Sequence, residues 1–457
     1  MKIEQIYTGC LAQGAYYIES RGEVAIIDPL REINPYLNKL NQNNHNLKYI
    51  FETHFHADFV SGHVSLAKAT DAQIIYGPSA ETSFEIINAQ DGQEFMLGDV
   101  IIKAIHTPGH TLESTCYLLI DAQGNQKALF SGDTLFIGDV GRPDLAQKGL
   151  KMTSKDLAGI MFDSLRNKLM TLNANVIIYP AHGAGSACGK KMSSETSDTL
   201  FNQLETNYAL RANMTKDEFI SEVLDGLAQP PKYFSDNVKL NKEGYEEVDT
   251  LLKHNRNNVL SVEEFENIAN ELHPVILDVR SKEEFTDGHI PNSIFIGLEG
   301  SFAPWVGEML VDINTPILLV TSSKDMFEEA QIRLSRVGFD NVIGTLSGGV
   351  ESWKKAGRGI ETVKNISPTN FVQISGKNII DVRKPSEYSI AKYAGALNLP
   401  LSDLGMNLSS VSDNKSYVYC GSGYRSLIAI SLLKSKGHHN VVNVEKGFAG
   451  ISKVLIK

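Results

Sequence analysis

Three residues at alternate positions carry the clearest chemistry in this sequence: His54, His56 and Asp58, within Thr53-His54-Phe55-His56-Ala57-Asp58-Phe59. Further along come His106 and His110 around Thr107-Pro108-Gly109, Asp133 after Ser131-Gly132, and His182 in Pro180-Ala181-His182-Gly183. Imidazole and carboxylate are the side chains that bind divalent transition metals. Here they recur after separate apolar runs, so loops at several strand ends can bring them to one ion. A chance set of satisfied histidines is the plain alternative, and the ordered recurrence argues against it.

The second reactive candidate is Cys420, in Val418-Tyr419-Cys420-Gly421-Ser422-Gly423-Tyr424-Arg425-Ser426. A cysteine directly after a strand, followed by a small-residue loop and a helix, has a physical use. The backbone N–H groups of Gly421, Ser422, Gly423 and Tyr424 can curl around the sulfur and bind a substrate sulfur there, while the helix N-terminus and Arg425 add positive charge. That environment lowers a thiol pKa and makes a sulfur-accepting nucleophile. Cys10, Cys116 and Cys188 are far apart and form no CxxC pair. Four reduced thiols are therefore expected rather than a disulfide framework. Cys10 and Cys116 sit among apolar neighbours and read as core. Cys188, after the glycine-rich 181–185 turn, reads either as an accessory thiol or as a buried cysteine. Arg142, in Gly141-Arg142-Pro143-Asp144, reads either as a substrate-binding cation or as a loop ion pair.

The elements that must position these groups are legible as short apolar runs at 24–27, 49–51, 101–105, 129–130 and 176–179. Each reads as a buried strand with polar residues just past its end, where α/β scaffolds build sites. From about 190 to 255 the spacing of Leu200, Leu204, Tyr208 and Leu210 is helical, and Pro230-Pro231 punctuates it. The remainder holds a degenerate repeat. Ile276-Leu277-Asp278-Val279-Arg280 matches Ile379-Ile380-Asp381-Val382-Arg383, Glu284-Phe285 matches Glu387-Tyr388, and Gly348-Gly349 answers Gly447. Strands alternating with helices predict parallel sheets, in units at 256–362 and 363–457. In the first unit Thr321 or Ser322 stands where Cys420 does, and the loop continues Ser323-Lys324-Asp325-Met326-Phe327. It has no thiol and no matching arginine, and Asp325 opposes an anion, so this unit is expected to be a spacer or docking domain.

The series HxHxD, TPGHT, SGDTLF and PAHG resembles the metallo-β-lactamase fold over about residues 1–190. The commoner motif is HxHxDH; Phe59 occupies its last position and cannot coordinate, which favours a mononuclear centre. Within the fold, THFHADFVSGH, TPGHTLES, SGDTLFIGDVGRPDL and PAHGAGSACG resemble the persulfide dioxygenases. That resemblance implies one Fe(II) per chain, held by His54, His110 and Asp133, with His56, Asp58 and His182 beside it. A 2-His-1-carboxylate set leaves positions open for O2 and substrate. The implied reaction turns a thiol persulfide, O2 and water into sulfite and the free thiol. The loop from Cys420 to Arg425, with Asp381-Val382-Arg383 and Gly447-Phe448, resembles the rhodaneses; its four intervening residues, against five in small tyrosine phosphatases, favour sulfur over phosphate. Gly288-His289-Ile290-Pro291 gives the first unit the same likeness.

The resulting expectation is an α/β protein: an αββα metallo-β-lactamase sandwich with C-terminal helices over 1–255, a degenerate rhodanese-like domain over 256–362 and a catalytic one over 363–457. It resembles persulfide dioxygenase–rhodanese fusions that detoxify sulfide, which implies that thiosulfate is formed or cleaved at Cys420. Two rivals are a zinc-dependent glyoxalase II-like thioester hydrolase fused to a sulfurtransferase, and a persulfide sensor with vestigial sites.

The bulk properties agree. At 457 residues, with 42% hydrophobic and 21% charged residues, the chain is long enough for about three core-forming domains. A net charge of −11 disfavours nucleic acid as a partner. No run approaches the roughly 20 apolar residues of a membrane span, and MKIEQIYTGC does not read as a signal peptide. The expected partners are a small thiol persulfide, O2, and sulfite or thiosulfate, in the cytoplasm, with a homo-oligomer left open.

Overall fold

The computed structural model describes residues 1–145, 152–227, 229–255 and 258–456. The front of the chain forms two six-stranded sheets. In the first, β1 (Lys2–Thr8), β2 (Gln13–Ser20) and β3 (Glu23–Ile27) pair antiparallel, and β3, β4 (Asn46–Phe51), β5 (Gln73–Tyr76) and β6 (Ile87–Asn88) pair parallel. In the second, β7 (Glu94–Leu97), β8 (Val100–His106), β9 (Thr115–Ile120) and β10 (Gln126–Gly132) form an antiparallel meander. It continues through β11 (Ile177–Pro180), parallel to β10, and β12 (Asp198–Thr199).

The two-residue period of a strand sorts the side chains into layers. Tyr16, Ile18, Ala25, Ile27 and Phe51 face Ile102, Ala104, Tyr117, Leu119 and Phe130 in the core between the sheets. Their neighbours Ala15, Tyr17, Val24, Ile26 and Ile50 point outward, against Tyr36, Leu40 and Leu66 of two helices. On the other side Leu118 and Leu129 pack on Met161, Leu165 and Phe219. This is the expected αββα sandwich. Truncating a wholly buried ring such as Phe130 costs about 3–5 kcal/mol in such a core.

The back of the chain forms two five-stranded parallel sheets. One has the order β13 (Val259–Leu260), β17 (Val342–Leu346), β16 (Ile317–Val320), β14 (Val275–Asp278), β15 (Ile294–Phe295). The other has the order β18 (Lys364–Ile366), β22 (Val441–Val444), β21 (Ser416–Tyr419), β19 (Asn378–Asp381), β20 (Leu397–Asn398). The two orders are the same. Asp278 pairs with Val320 in the first and Asp381 with Tyr419 in the second. Thr321 is thereby the counterpart of Cys420, which resolves the choice left open between Thr321 and Ser322. The following helices start at Lys324 and Tyr424. The first loop is thus one residue shorter, and Asp325 takes the second helical position that Arg425 holds.

The chain divides into two compact units, Met1–Thr250 with Ser335–Gly338, and Leu251–Leu334 with Phe339–Lys457. The expected boundary at 255/256 runs into residues 256 and 257, which lie outside the described set. Among the described residues, no helix is long and apolar enough to cross a membrane.

Candidate metal and thiol sites

In the front unit three strand ends deliver three ligand types to one buried point. His54 follows β4, His110 follows β8, and Asp133 directly follows β10. His54 Nε2 lies 3.9 Å and His110 Nε2 3.5 Å from Asp133 Oδ2, all within a set of atoms less than 4.8 Å apart. The delivery depends on a close approach. Gly132 has φ +54°, and a Cβ there would meet Thr53 Oγ1 at 2.5 Å.

Hydrogen bonds fix which ring nitrogens face inward. Thr53 donates its N–H and its hydroxyl to the two oxygens of Asp28, at 2.8 Å each. With its proton so committed, Thr53 Oγ1 accepts from His54 Nδ1 at 3.0 Å. His110 Nδ1 donates to the Arg142 carbonyl at 2.8 Å. Both rings therefore present an Nε2 lone pair toward Asp133, the tautomer that supporting hydrogen bonds impose on metal-binding histidines. Burial, together with His56, His110 and His182, holds the His54 pKa well below its usual range, so the ring is neutral and ligand-ready.

Around this trio lies a second set. His182 Nε2 stands 3.3 Å from Asp58 Oδ2 and 3.6 Å from Asp133 Oδ1. Burial opposes its protonation, but Asp58 and Asp133 outweigh burial and raise its pKa well above normal. His56 turns Nε2 toward Asp28 (3.1 Å) and Glu52 (3.4 Å); burial opposes charge there too, but the carboxylates carry its pKa up to about 10. Its ring stacks on the wholly buried Phe59, centroids 4.3 Å apart. His56, Asp58 and His182 form one further possible ligand group, and Asp133, His182 and Cys188 another. His106 stays outside them: its Nε2 donates to the Leu112 carbonyl at 2.8 Å.

The donors fit a cation. His54 Nε2, both Asp133 oxygens, His182 Nε2 and Asp58 Oδ1 are buried, with no hydrogen-bond partner among the described residues. Buried polar atoms are normally hydrogen-bonded or metal-bound. Asp28, Glu52 and Thr53 complete the site, and sequence reasoning did not single them out. Their only signal was position, polar residues just past the strand ends.

The geometry decides one alternative and changes one expectation. Arg142 does not present an open guanidinium: it is buried, forks onto Asp144 at 2.7 Å and 2.7 Å, and donates to the Ala187 carbonyl at 3.3 Å. What it gives the site is the carbonyl that orients His110. Cys10 is only half-buried rather than core, whereas Cys116 is fully buried. Cys188 is buried beside the metal candidates, and its thiol pKa is driven far up by burial, Asp58 and Asp133. All four cysteines are free.

In the last unit Cys420 directly follows β21. Gly423 N–H donates to its sulfur at 3.1 Å, and the thiol reaches Ser426 Oγ at 3.6 Å. Ser426 in turn donates to Asn443 Oδ1 at 2.7 Å. Arg425 forks onto Glu387 at 2.6 Å and 2.8 Å. A Cβ on Gly421 would meet Arg425 Nη2 at 3.1 Å, so the guanidinium lies against the loop. Ser422 is exposed and Gly421 half-buried. Tyr424, whose backbone N–H was the one expected to help bind substrate sulfur, turns its side chain elsewhere and donates its hydroxyl to the Gly297 carbonyl at 2.8 Å.

These sites sit on known families. Residues 8–182 match the model of the metallo-beta-lactamase superfamily, and residues 261–356 and 364–453 each match that of the rhodanese-like domain. The chain belongs to the metallo-beta-lactamase superfamily and carries two rhodanese-like domains behind that unit. Among similar proteins is a probable polyketide biosynthesis zinc-dependent hydrolase of Bacillus velezensis, 34% identical over 41% of this chain and 79% of that protein. A probable hydroxyacylglutathione hydrolase of Schizosaccharomyces pombe is 33% identical over 41% and 69%. A solved metallo-beta-lactamase from Staphylococcus aureus superposes with a TM-score of 0.65 at 29% identity, covering 76% of this chain and 98% of its own. That likeness extends beyond the front unit.

Proposed function

We propose that the chain is a persulfide dioxygenase coupled to a sulfurtransferase, with domains at 1–255, 256–362 and 363–457. The front site takes one Fe(II) on His54, His110 and Asp133. The observation that carries this reading is the pair of inward Nε2 lone pairs beside Asp133, together with Phe59 where a second-metal histidine would stand. Three protein ligands leave positions open. When bound, Fe(II) supplies redox chemistry toward O2 that zinc lacks.

The residues around the trio then have defined tasks. Thr53 and Asp28 hold His54, and the Arg142 carbonyl holds His110. Asp58 and His182 form a buried polar pair beside Asp133 that can hold a proton as sulfur is oxidised. The overall conversion is RSSH + O2 + H2O to RSH, sulfite and two protons. At Cys420 the thiolate attacks the sulfane sulfur of thiosulfate, the S–S bond breaks, sulfite leaves, and Cys420 carries the persulfide; the reverse step forms thiosulfate. Gly423 N–H is placed to hold the negative sulfur. The partners are small molecules, and four free thiols fit a reducing cytoplasm.

A second reading is a zinc thioester hydrolase. It is favoured by the hydrolase relatives and by Asp58, Asp133 and His182, which lie close enough together that they would offer ligands to a second ion. Metal analysis of purified protein, with oxygen uptake on a supplied persulfide, separates the two. About one iron per chain and oxygen uptake are expected; two zincs with thioester hydrolysis and no uptake would establish the hydrolase.

A further inference from the structure

We propose that Tyr424 is a positioning residue through which the thiol-less rhodanese-like unit sets the geometry of the Cys420 loop in its neighbour. The inference rests on the reading that Cys420 accepts sulfane sulfur, and it assigns a task to the unit that lacks the chemistry.

Tyr424 is the first residue of the helix Tyr424–Ser435. It stands between Gly423, whose N–H meets the Cys420 sulfur, and Arg425, which lies against the loop. Its own side chain serves neither. The hydroxyl donates to Gly297 in the other repeat, and the ring stands edge-on to Phe295 with centroids 5.8 Å apart. The ring also fills the space that a side chain at Gly300 would need: a Cβ there would lie 2.3 Å from Tyr424 Cζ. About two turns further along the same helix, Ser431 Oγ accepts the Phe295 N–H at 3.0 Å. The helix that cups the sulfur is therefore pinned at two points by residues 295–300.

That receiving segment is itself held by the marks the first repeat has kept. Ile296 N–H donates to the Asp278 carbonyl at 3.0 Å and Leu298 N–H to the Val279 carbonyl at 3.1 Å. Arg333 donates to the Leu298 carbonyl at 2.6 Å. Asp278 carries the Arg280 fork at 2.9 Å and 2.6 Å. The strand end that in the last repeat precedes a catalytic loop here fixes a docking ledge for Tyr424. This accounts for a repeat that has lost its thiol and arginine yet retains Asp278-Val279-Arg280. Small displacements of a nucleophile are costly, on the order of a hundredfold for about 1 Å, so a rigid ledge bears directly on rate.

The test uses the full chain with Gly300→Ala, Tyr424→Phe and Tyr424→Ala, none of which changes a group that touches sulfur. Two quantities are read: thiosulfate:cyanide sulfur transfer, and the pH profile of Cys420 alkylation followed on the Cys420 peptide. Gly300→Ala should lower transfer roughly tenfold to a hundredfold and Tyr424→Phe by less than tenfold. Both should move the alkylation midpoint upward, because the N–H groups no longer converge on the thiolate. In a Tyr424→Ala background the added methyl of Gly300→Ala should have little further effect, since the ring it displaces is gone. A general folding defect would instead add to the Tyr424→Ala loss, and that outcome overturns the proposal. So does an unchanged rate and alkylation profile in Gly300→Ala. If the unmodified chain transfers no sulfur, the reading of Cys420 fails, whereas the alkylation profiles still decide whether Gly300 positions the thiol.

Discussion

The two rhodanese-like repeats share a strand order, a register and an Asp–Arg fork at the same strand end, yet one places a thiol in its loop and the other a threonine. Arg280 clasps Asp278 and the Gly288 carbonyl; Arg383 clasps Asp381 and the Ala391 carbonyl. The same acidic residue follows in each. Glu387 takes the fork of Arg425, while Glu284, facing a loop with no arginine, takes the Ser322 hydroxyl at 2.5 Å. Thr321 bonds across to Thr345 at 3.0 Å, just as Cys420 meets Asn443 through Ser426. The comparison teaches that fold and chemistry are carried by separable residues. The strand end and its arginine are the same in both sheets, whereas the loops differ in thiol, length and charge.

The most drastic way to break the contrast is to make the reactive loop like the inert one. Cys420→Ser keeps the shape but offers a hydroxyl too weakly acidic to form a persulfide. Sulfur transfer should fall roughly a thousandfold or more, while oxidation of a directly supplied persulfide at the front site persists. Retained transfer would move the carrier role to another thiol, Cys188 first.

A subtler pair of variants asks whether the shared glutamates differ as their partners do. Glu387→Gln removes the charge that fixes Arg425 and should lower transfer about fivefold to tenfold. Glu284→Gln should leave transfer unchanged. Equal effects, measured as kcat/KM for thiosulfate, would mean that both act only on the fold. The smallest effect is expected from making the inert loop resemble the reactive one. In a Cys420→Ser background, Thr321→Cys should restore almost no transfer. The loop is still one residue short and has no glycine to turn an N–H inward, and Asp325 still stands at the position of Arg425. Recovery to even a tenth of the original rate would show that a thiol alone suffices.

Much of this was legible in the sequence because periodicity and motif spacing report on it directly. Short apolar runs predicted buried strands with polar residues just past their ends, the repeated Asp-Val-Arg predicted the paired parallel sheets, and the resemblance to the metallo-β-lactamase fold implied the sandwich and the trio His54, His110 and Asp133, which do come together. What was not legible concerns side-chain direction. Arg142 read equally as a substrate-binding cation and as a loop ion pair, and only the structure closes its fork on Asp144, two positions away; Arg425 read as positive charge on the loop, but its pairing with Glu387, 38 positions away, left no mark in the sequence. Tyr424 read as part of a substrate loop because it lies between Gly423 and Arg425. A residue at the start of a helix can point away from the loop it follows, and only the tertiary packing on Gly297 and Gly300 reveals that it does. The supporting shell of Asp28, Thr53 and Glu52 showed only as polar residues at strand ends, because hydrogen-bond partners across a sheet leave no spacing signature.

The central claim is that His54, His110 and Asp133 form a mononuclear iron site that oxidises persulfide. It is tested most directly by oxygen uptake on a thiol persulfide, measured together with iron content, for the unmodified chain and for Asp133→Ala. The account requires about one iron per chain and persulfide-dependent uptake in the first, and loss of both in the second. Uptake that survives Asp133→Ala, or a chain that holds two zinc ions and consumes no oxygen, would contradict it.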